Sequence, residues 1–257
     1  MTELMKQIIL FILIMTGTQV FAQYEKVIPD STTEGEFTVH YKNETIQGAF
    51  HQNKRTGNWY VYYPNGLIHT FTQYKNGKQN GLYLVVNRRG IITEQAHYKN
   101  GLMDGEHLKF ENRNGKISLK ETYKNGLLNG VKIIFYENSG RKQEEAEYRN
   151  GLKEGITKWY DDKGHVVAAY EYKEGLFNGT QKYYYKNGQV KAEKEFLNNM
   201  AEGVYQSYYE NGQIKEKGQY HHDKKAGKWQ LYDKSGNLIK TIRYKKNGKN
   251  DEKKKDQ

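Results

Sequence analysis

Nine aromatic residues, Phe50, Tyr74, Tyr98, Tyr123, Tyr148, Tyr172, Phe196, Tyr220 and Tyr244, follow one another at intervals of 24, 24, 25, 25, 24, 24, 24 and 24 residues. A repeat this regular constrains the chain more than any other feature. Each copy is one supersecondary unit that gains its stability by stacking on its neighbours. Each of the first eight aromatics is followed seven residues later by a glycine, from Gly57 to Gly227. A second glycine series, Gly66 to Gly236, lies eight residues before the next aromatic.

The segments between these markers are short and rich in Tyr, Val, Ile and Thr, as in NWYVYY and KYYY, and turn residues interrupt them throughout. That is the pattern of strands and hairpins. The first turn reads PNG, DKG, KNG, ENG or KSG, and the second reads YKNGLxNG, as in YKNGLLNG at 123–130. Asn-Gly and Lys-Gly steps supply the positive φ that tight turns require. Each repeat is therefore expected to be one hairpin, with a slightly longer loop of the second type leading to the next.

Strand periodicity supports this. Six residues separate Ile68 from Tyr74 and Val166 from Tyr172, so both ends of each segment share a face. Ala96, Ala146, Ala168 and Ala192 lie on that face, while Glu145, Glu147, Glu193 and Glu195 lie on the other. One face is apolar and one is solvated. The two 25-residue copies carry their extra residue before Gly115 and Gly140, inside the first turn, where a strand register is not disturbed. With half a repeat at 37–50, the array reads as about 18 antiparallel strands, an all-β, elongated, single-layer twisted sheet, open or curled, roughly 80 Å long at ~4.8 Å per strand.

Composition fits an array better than a globule. Hydrophobic residues are 36% of the 257, yet there are 23 Tyr, too aromatic for a disordered chain. There are no cysteines, which excludes disulfides and thiolate metal sites. Residues 1–22 read as a signal peptide: Lys6, the apolar run IILFILIM, then a cut after Ala22. An uncleaved anchor is the alternative. Residues 23–34 read as a linker, 35–248 as the array and 249–257 as a basic disordered tail. No later segment is apolar enough to span a membrane. The formal net charge is +11, which favours an anionic partner, and export makes nucleic acid an unsuitable one.

The phrase Y-K-N-G-L-x-x-G followed by Y-x-x-x-G-x-I/V, running from about 50 to 248, resembles the MORN repeat and more closely its bacterial variant. The resemblance implies elongated single-layer antiparallel sheets, protein scaffolding and phospholipid head-group binding. It also carries the label of antitoxin for the variant group, which an export signal fits poorly. At two boundaries the pattern departs: Asn199 and Asp223 stand where the turn glycine belongs. TGNWYVYYPNGLI at 56–68 is also similar to the aromatic hairpins of choline- or glucan-binding wall proteins, whose repeats are shorter and richer in Trp.

No catalytic constellation, cofactor motif or metal set is expected. The eight histidines occupy unrelated repeat slots, and the one cluster, His221-His222-Asp223, reads as a solvated loop. Two features could bind. Trp59, Trp159 and Trp229 follow no repeat rule and could line an aromatic groove, although packing in the sheet is the plainer role. Lys75, Lys99, Lys124, Arg149 and Lys173 follow the origin aromatic and form a cationic ladder along one edge. Its plain role is solubility and edge protection; its functional role is an electrostatic strip. The expected function is a non-enzymatic, exported binding or scaffolding surface at the cell envelope, for a protein, an anionic polymer or a lipid head group.

Overall fold

The computed structural model describes residues 34–245 together with 248 and 249. The signal segment 1–22, the linker up to residue 33 and the tail from residue 250 lie outside the described residues. Strands are the only regular elements described, and all described pairings are antiparallel. No helix among the described residues is long and apolar enough to cross a membrane.

The described residues divide into two compact units, those up to residue 90 with 98–101, and 91–97 with those from 102 onward. In the first, β1 (Gly35–Tyr41), β2 (Glu44–His51), β3 (Lys54–Tyr62), β4 (Ile68–Lys75) and β5 (Lys78–Val86) pair in chain order. The strand β6 (Ile92–Lys99) contributes residues to both units. The second contains β7 (Leu102–Phe110), β8 (Ile117–Lys124), β9 (Leu127–Leu128), β10 (Gly130–Phe135), β11 (Lys142–Arg149), β12 (Leu152–Lys153) and β13 (Gly155–Tyr160). It continues through β14 (Val166–Lys173), β15 (Leu176–Tyr184), β16 (Val190–Leu197), β17 (Met200–Tyr208), β18 (Ile214–His221), β19 (Lys224–Tyr232) and β20 (Leu238–Tyr244). Pairing again follows chain order, β9 with β10 and β12 with β13 each being one strand interrupted by a single residue, Asn129 or Glu154. Counted so, the twenty strands are eighteen extended runs, as the repeat requires.

The two turns exchange the roles expected of them. The Lys-Asn-Gly corner is the tight one. Lys75 pairs with Lys78 across a two-residue turn in which Asn76 has φ 51° and Gly77 φ 80°, a type I′ geometry that matches strand twist. Asn199 and Asp223 take the left-handed conformation of the glycine they replace, with φ 69° and 64°. The other turn is longer: Tyr63 and Leu67 close a loop through Tyr63 N–H to Leu67 O at 2.8 Å.

The glycine seven residues after each aromatic is in no turn at all. It sits inside a strand, at a bulge. Thr72 pairs with Tyr83 and Tyr74 with Gln79, so Asn80, Gly81 and Leu82 face the single residue Gln73. Gly81 has φ 117°, and a Cβ there would collide with the Gln73 side chain, whose Oε1 accepts the Leu82 N–H at 2.8 Å. In the second unit Glu171 and Glu195 do the same for Thr180 and Val204, at 2.9 and 2.7 Å. The partner side chain thus satisfies the backbone donor that the bulge releases.

The second and fourth residues after the bulge glycine point to the apolar face. In the first unit Trp59 is fully buried, edge-on to Phe50 and Tyr74, with the Arg55 guanidinium 5.2 Å from its ring centre. Its ring lies where a Cβ on Gly48 would be. In the second unit Trp229 lies likewise over Gly218, with Lys225 3.7 Å from its ring centre. The equivalent slots in between hold Tyr83, His107, Lys132, Thr157, Gln181 and Tyr205. Around His107 the core becomes ionic. His107 Nδ1 is 2.9 Å from Glu121 and Nε2 is 2.8 Å from Glu94, while Lys132 Nζ is 3.0 Å from Glu121. Both ring nitrogens face carboxylates, so the imidazolium is the fitting form.

Burial alone would lower the pKa of His107, but its hydrogen bonds to Glu121 and Glu94 outweigh this and raise it. Burial would raise Glu121, and the hydrogen bonds from His107 and Lys132 bring it down to about 2. The His107 contribution is complete below the ordinary value of 6.5 and lost as pH rises through the raised one. The Glu121 contribution is complete above 4.5 and lost as pH falls towards about 2. Urea midpoints should therefore be highest between pH 4.5 and 6.5; a midpoint that keeps rising above pH 6.5 would exclude this. A second outcome concerns Gly218→Ala, which forces a methyl into the Trp229 ring. It should destabilise by about 1–3 kcal/mol, read by urea unfolding, and a neutral result would rule out the close approach.

Candidate binding edge

The type I′ corners place the five expected cations. Lys75, Lys99, Lys124, Arg149 and Lys173 are all exposed, each at the last position of a strand before a two-residue turn. In the second unit the pairing across the corner sets Lys124 against Leu127, Arg149 against Leu152 and Lys173 against Leu176. In the first unit Lys75 faces Lys78.

The leucines opposite those cations are open to solvent. Leu102, Leu127, Leu152, Leu176 and Met200 keep 37–51% of their surface exposed, and Leu197, paired with Met200, keeps 51%. They are also neighbours. A Cβ built on Gly126 would stand 3.4 Å from Leu102 Cδ2, one on Gly151 3.8 Å from Leu127 and one on Gly175 3.4 Å from Leu152. Each corner glycine is therefore a bare floor for the leucine of the preceding corner. The Gly175 N–H also donates to Lys153 O at 2.9 Å, and the Gly151 N–H to Leu128 O at 2.8 Å, which ties each corner to its neighbour. The result is a held row of aliphatic side chains bordered by cations.

Sequence reasoning identified the cations and overlooked the leucines. The signal was in the repeated phrase itself. The residue after the second corner position, glycine or the Asn53, Asn199 or Asp223 that replaces it, is Lys54 and Lys78, then Leu102, Leu127, Leu152, Leu176 and Met200, then Lys224. Lysine stands in this slot at both ends, so the slot is solvent-facing, and the aliphatic run between needs a reason.

The tryptophans do not form a groove. Trp59 and Trp229 have no exposed surface, so they take the packing role that was the plainer expectation, and their candidate role as open binding rings is corrected: each fills a slot that a facing glycine leaves over its backbone. Trp159 is half-buried. Its Nε1 donates to Glu144 at 3.2 Å, and Lys153 lies 5.4 Å from its ring centre. Cations inside the apolar face thus stack on aromatic rings, while the corner cations stay in water.

Four further histidines are dispersed in carboxylate pairs: His51 with Glu34, His69 with Glu44, His165 with Asp161 and His221 with Glu202. Among the described residues one group, Glu202 with His221 and His222, brings metal-capable atoms within 4.8 Å of one another. A hollow of about 610 Å³ lies near the longer loops of the second unit, lined by Glu111, Tyr136, Gln143 and Asp162, with no nucleophile and base in contact. Beside it Tyr136 donates its hydroxyl to Tyr160 O at 2.8 Å. Tyr63, Tyr185 and Tyr209 make the same staple from loop to next strand. Asp161 and Asp233 instead close their own loops by accepting backbone N–H groups.

No curated protein matches the chain. The repeat geometry does have a named counterpart: the MORN repeat variant matches four consecutive segments, residues 153–174, 177–198, 201–222 and 225–246, each running from a corner through one longer loop to the next corner.

Proposed function

We propose that the protein is a non-catalytic, exported scaffold whose corner edge docks a protein partner at the cell envelope. MORN repeats suggest a protein that binds proteins or membranes. The observation that carries the reading is the aliphatic row Leu102, Leu127, Leu152, Leu176 and Met200, held open to water beside Lys124, Arg149 and Lys173. A folded chain gains nothing from exposing apolar side chains in a contiguous row. A complementary partner would present an apolar ridge flanked by carboxylates. Desolvating the leucines would supply affinity, and the cations would supply orientation and on-rate. The hydrogen-bonded corners keep the row ordered before contact, which lowers the entropic cost of docking.

A second reading has its own support. A cation beside each insertable leucine also suits anionic lipid head groups, with the cations at the phosphates and the leucines in the interface. The label of antitoxin attached to the bacterial variant group finds no support in the described residues.

Two measurements test this. Leu127→Asn, Leu152→Asn and Leu176→Asn together should weaken capture of the envelope partner by roughly 100-fold, since each half-exposed leucine contributes about 1 kcal/mol on docking. Lys124→Glu, Arg149→Glu and Lys173→Glu should slow association and flatten its salt dependence. Capture unchanged in the triple leucine variant would sink the docking surface. Sedimentation with vesicles of anionic lipid, lost in both variants, would move the partner from protein to membrane. Export is read separately: the mass of the chain recovered outside the cytoplasm should begin at Gln23, and an intact Met1 there would exclude cleavage.

A further inference from the structure

Most corners of the array take one side-chain acceptor from the neighbouring strand. In the second unit Asp104 Oδ2 accepts the Asn125 N–H at 3.0 Å, Asn129 Oδ1 accepts that of Asn150 at 3.3 Å and Glu154 Oε2 accepts that of Glu174 at 2.9 Å. Glu202 fills this slot for the corner between β18 and β19, where its Oε2 accepts the His222 N–H at 2.8 Å. Here the carboxylate meets more than the backbone. Its Oε1 is 2.8 Å from His221 Nδ1, and its Oε2 is 3.7 Å from His222 Nδ1. His222 Nδ1 in turn is 3.1 Å from His221 Nε2, with the two rings nearly perpendicular at 85°.

We propose that Glu202, His221 and His222 form a divalent-metal site, with zinc or nickel as its fitting ions and water in the open positions. Two imidazole nitrogens 3.1 Å apart are close to the edge of a tetrahedron around zinc, about 3.3 Å for Zn–N bonds of ~2.05 Å. An imidazole pair with one carboxylate selects borderline transition ions over magnesium or calcium. Glu202 Oε1 holds Nδ1 of His221, so Nε2 of His221 turns towards His222, while the other oxygen, Oε2, lies on the side of His222 Nδ1 and is the one positioned to ligate. The corner itself does not require either ring. It requires left-handed backbone at His222, φ 47°, which asparagine serves at the equivalent corners. Asp223 is not a ligand: its Oδ1 accepts the Ala201 N–H at 2.6 Å. Lys224, which pairs with His221 across the corner, is a charge there that opposes a cation.

The first unit contains the control. Glu34 Oε2 is 3.1 Å from His51 Nδ1, and its Oε1 accepts the Gln52 N–H at 3.0 Å. Gln52, φ 52°, stands where His222 stands. This corner has the carboxylate, the first histidine and the backbone, and lacks only the second imidazole.

The experiment is a calorimetric titration of the mature chain with zinc chloride and with nickel chloride, and equilibrium dialysis for stoichiometry. One equivalent should bind. His221→Gln, His222→Asn and Glu202→Gln should each weaken it roughly tenfold or more. The Asn variant suits the left-handed corner, and the Gln variant at 202 retains an acceptor for it, so circular dichroism should be unchanged. Gln52→His should raise the stoichiometry from one to two. Absence of binding at millimolar metal, affinity unaltered by His221→Gln and His222→Asn, or a Gln52→His chain that still binds one equivalent would each overturn the site.

Discussion

The structure depends on one steric event, a strand that carries three residues where its neighbour carries one. At each such bulge the middle residue must take φ near 65–130°, and at most of them, Gly81, Gly179 and Gly203 above all, it must also leave room for a side chain from the facing strand. Only glycine does both without strain. The bulge increases local twist and frees a backbone N–H, which Gln73, Glu171 or Glu195 then receives. Because it resets the alternation of the strand, it also decides which following residues face inward. The 24-residue period is thus a steric period: it is the distance between successive bulges.

The bulges set up a thin apolar face whose packing is made pairwise. Trp59 and Trp229 fit because Gly48 and Gly218 face them, and a stack of aromatic edges connects each to its neighbours. Near the middle of the chain the same slots carry His107, Lys132, Glu94 and Glu121, whose charges neutralise one another at hydrogen-bond distance. A buried ion pair of this kind is weak support for stability and strong support for a defined register, since a shift of one residue would leave a charge unpaired. Low hydrophobicity is tolerable for that reason. Each layer needs only its two neighbours to complete it.

Much of this was legible in the sequence. The period gave the eighteen runs, parity gave the apolar face, and the insertions before Gly115 and Gly140 marked the longer loops. The bulge was not legible, because a glycine at positive φ inside a strand reads the same as one in a turn. YKNGLxNG therefore looked like one long loop when it is a tight corner followed by a bulged strand. Packing was the plainer expectation for the tryptophans, but the slot they fill was hidden for a related reason. Trp59 and Trp229 occupy the same repeat slot, but the facing glycines that admit them, Gly48 and Gly218, lie outside both glycine series. The Glu202 cluster was only half visible: the adjacent histidines were evident, but Glu202 is brought to them by strand pairing from about 20 residues away.

Fold and function are separable at the corners. A type I′ turn constrains its two central residues and nothing more, so Asn-Gly, Asn-Asn and His-Asp all serve. The residue that follows is free of any folding demand, and lysine occupies it at Lys54, Lys78 and Lys224 without cost to the corner. Five consecutive corners nevertheless carry Leu or Met there, at positions that all lie in the second unit, each half in water. The interior needs none of them, because the apolar face is completed by other positions. A slot that the fold leaves open, filled in succession by side chains that solvent disfavours, is the ground on which the docking edge is proposed.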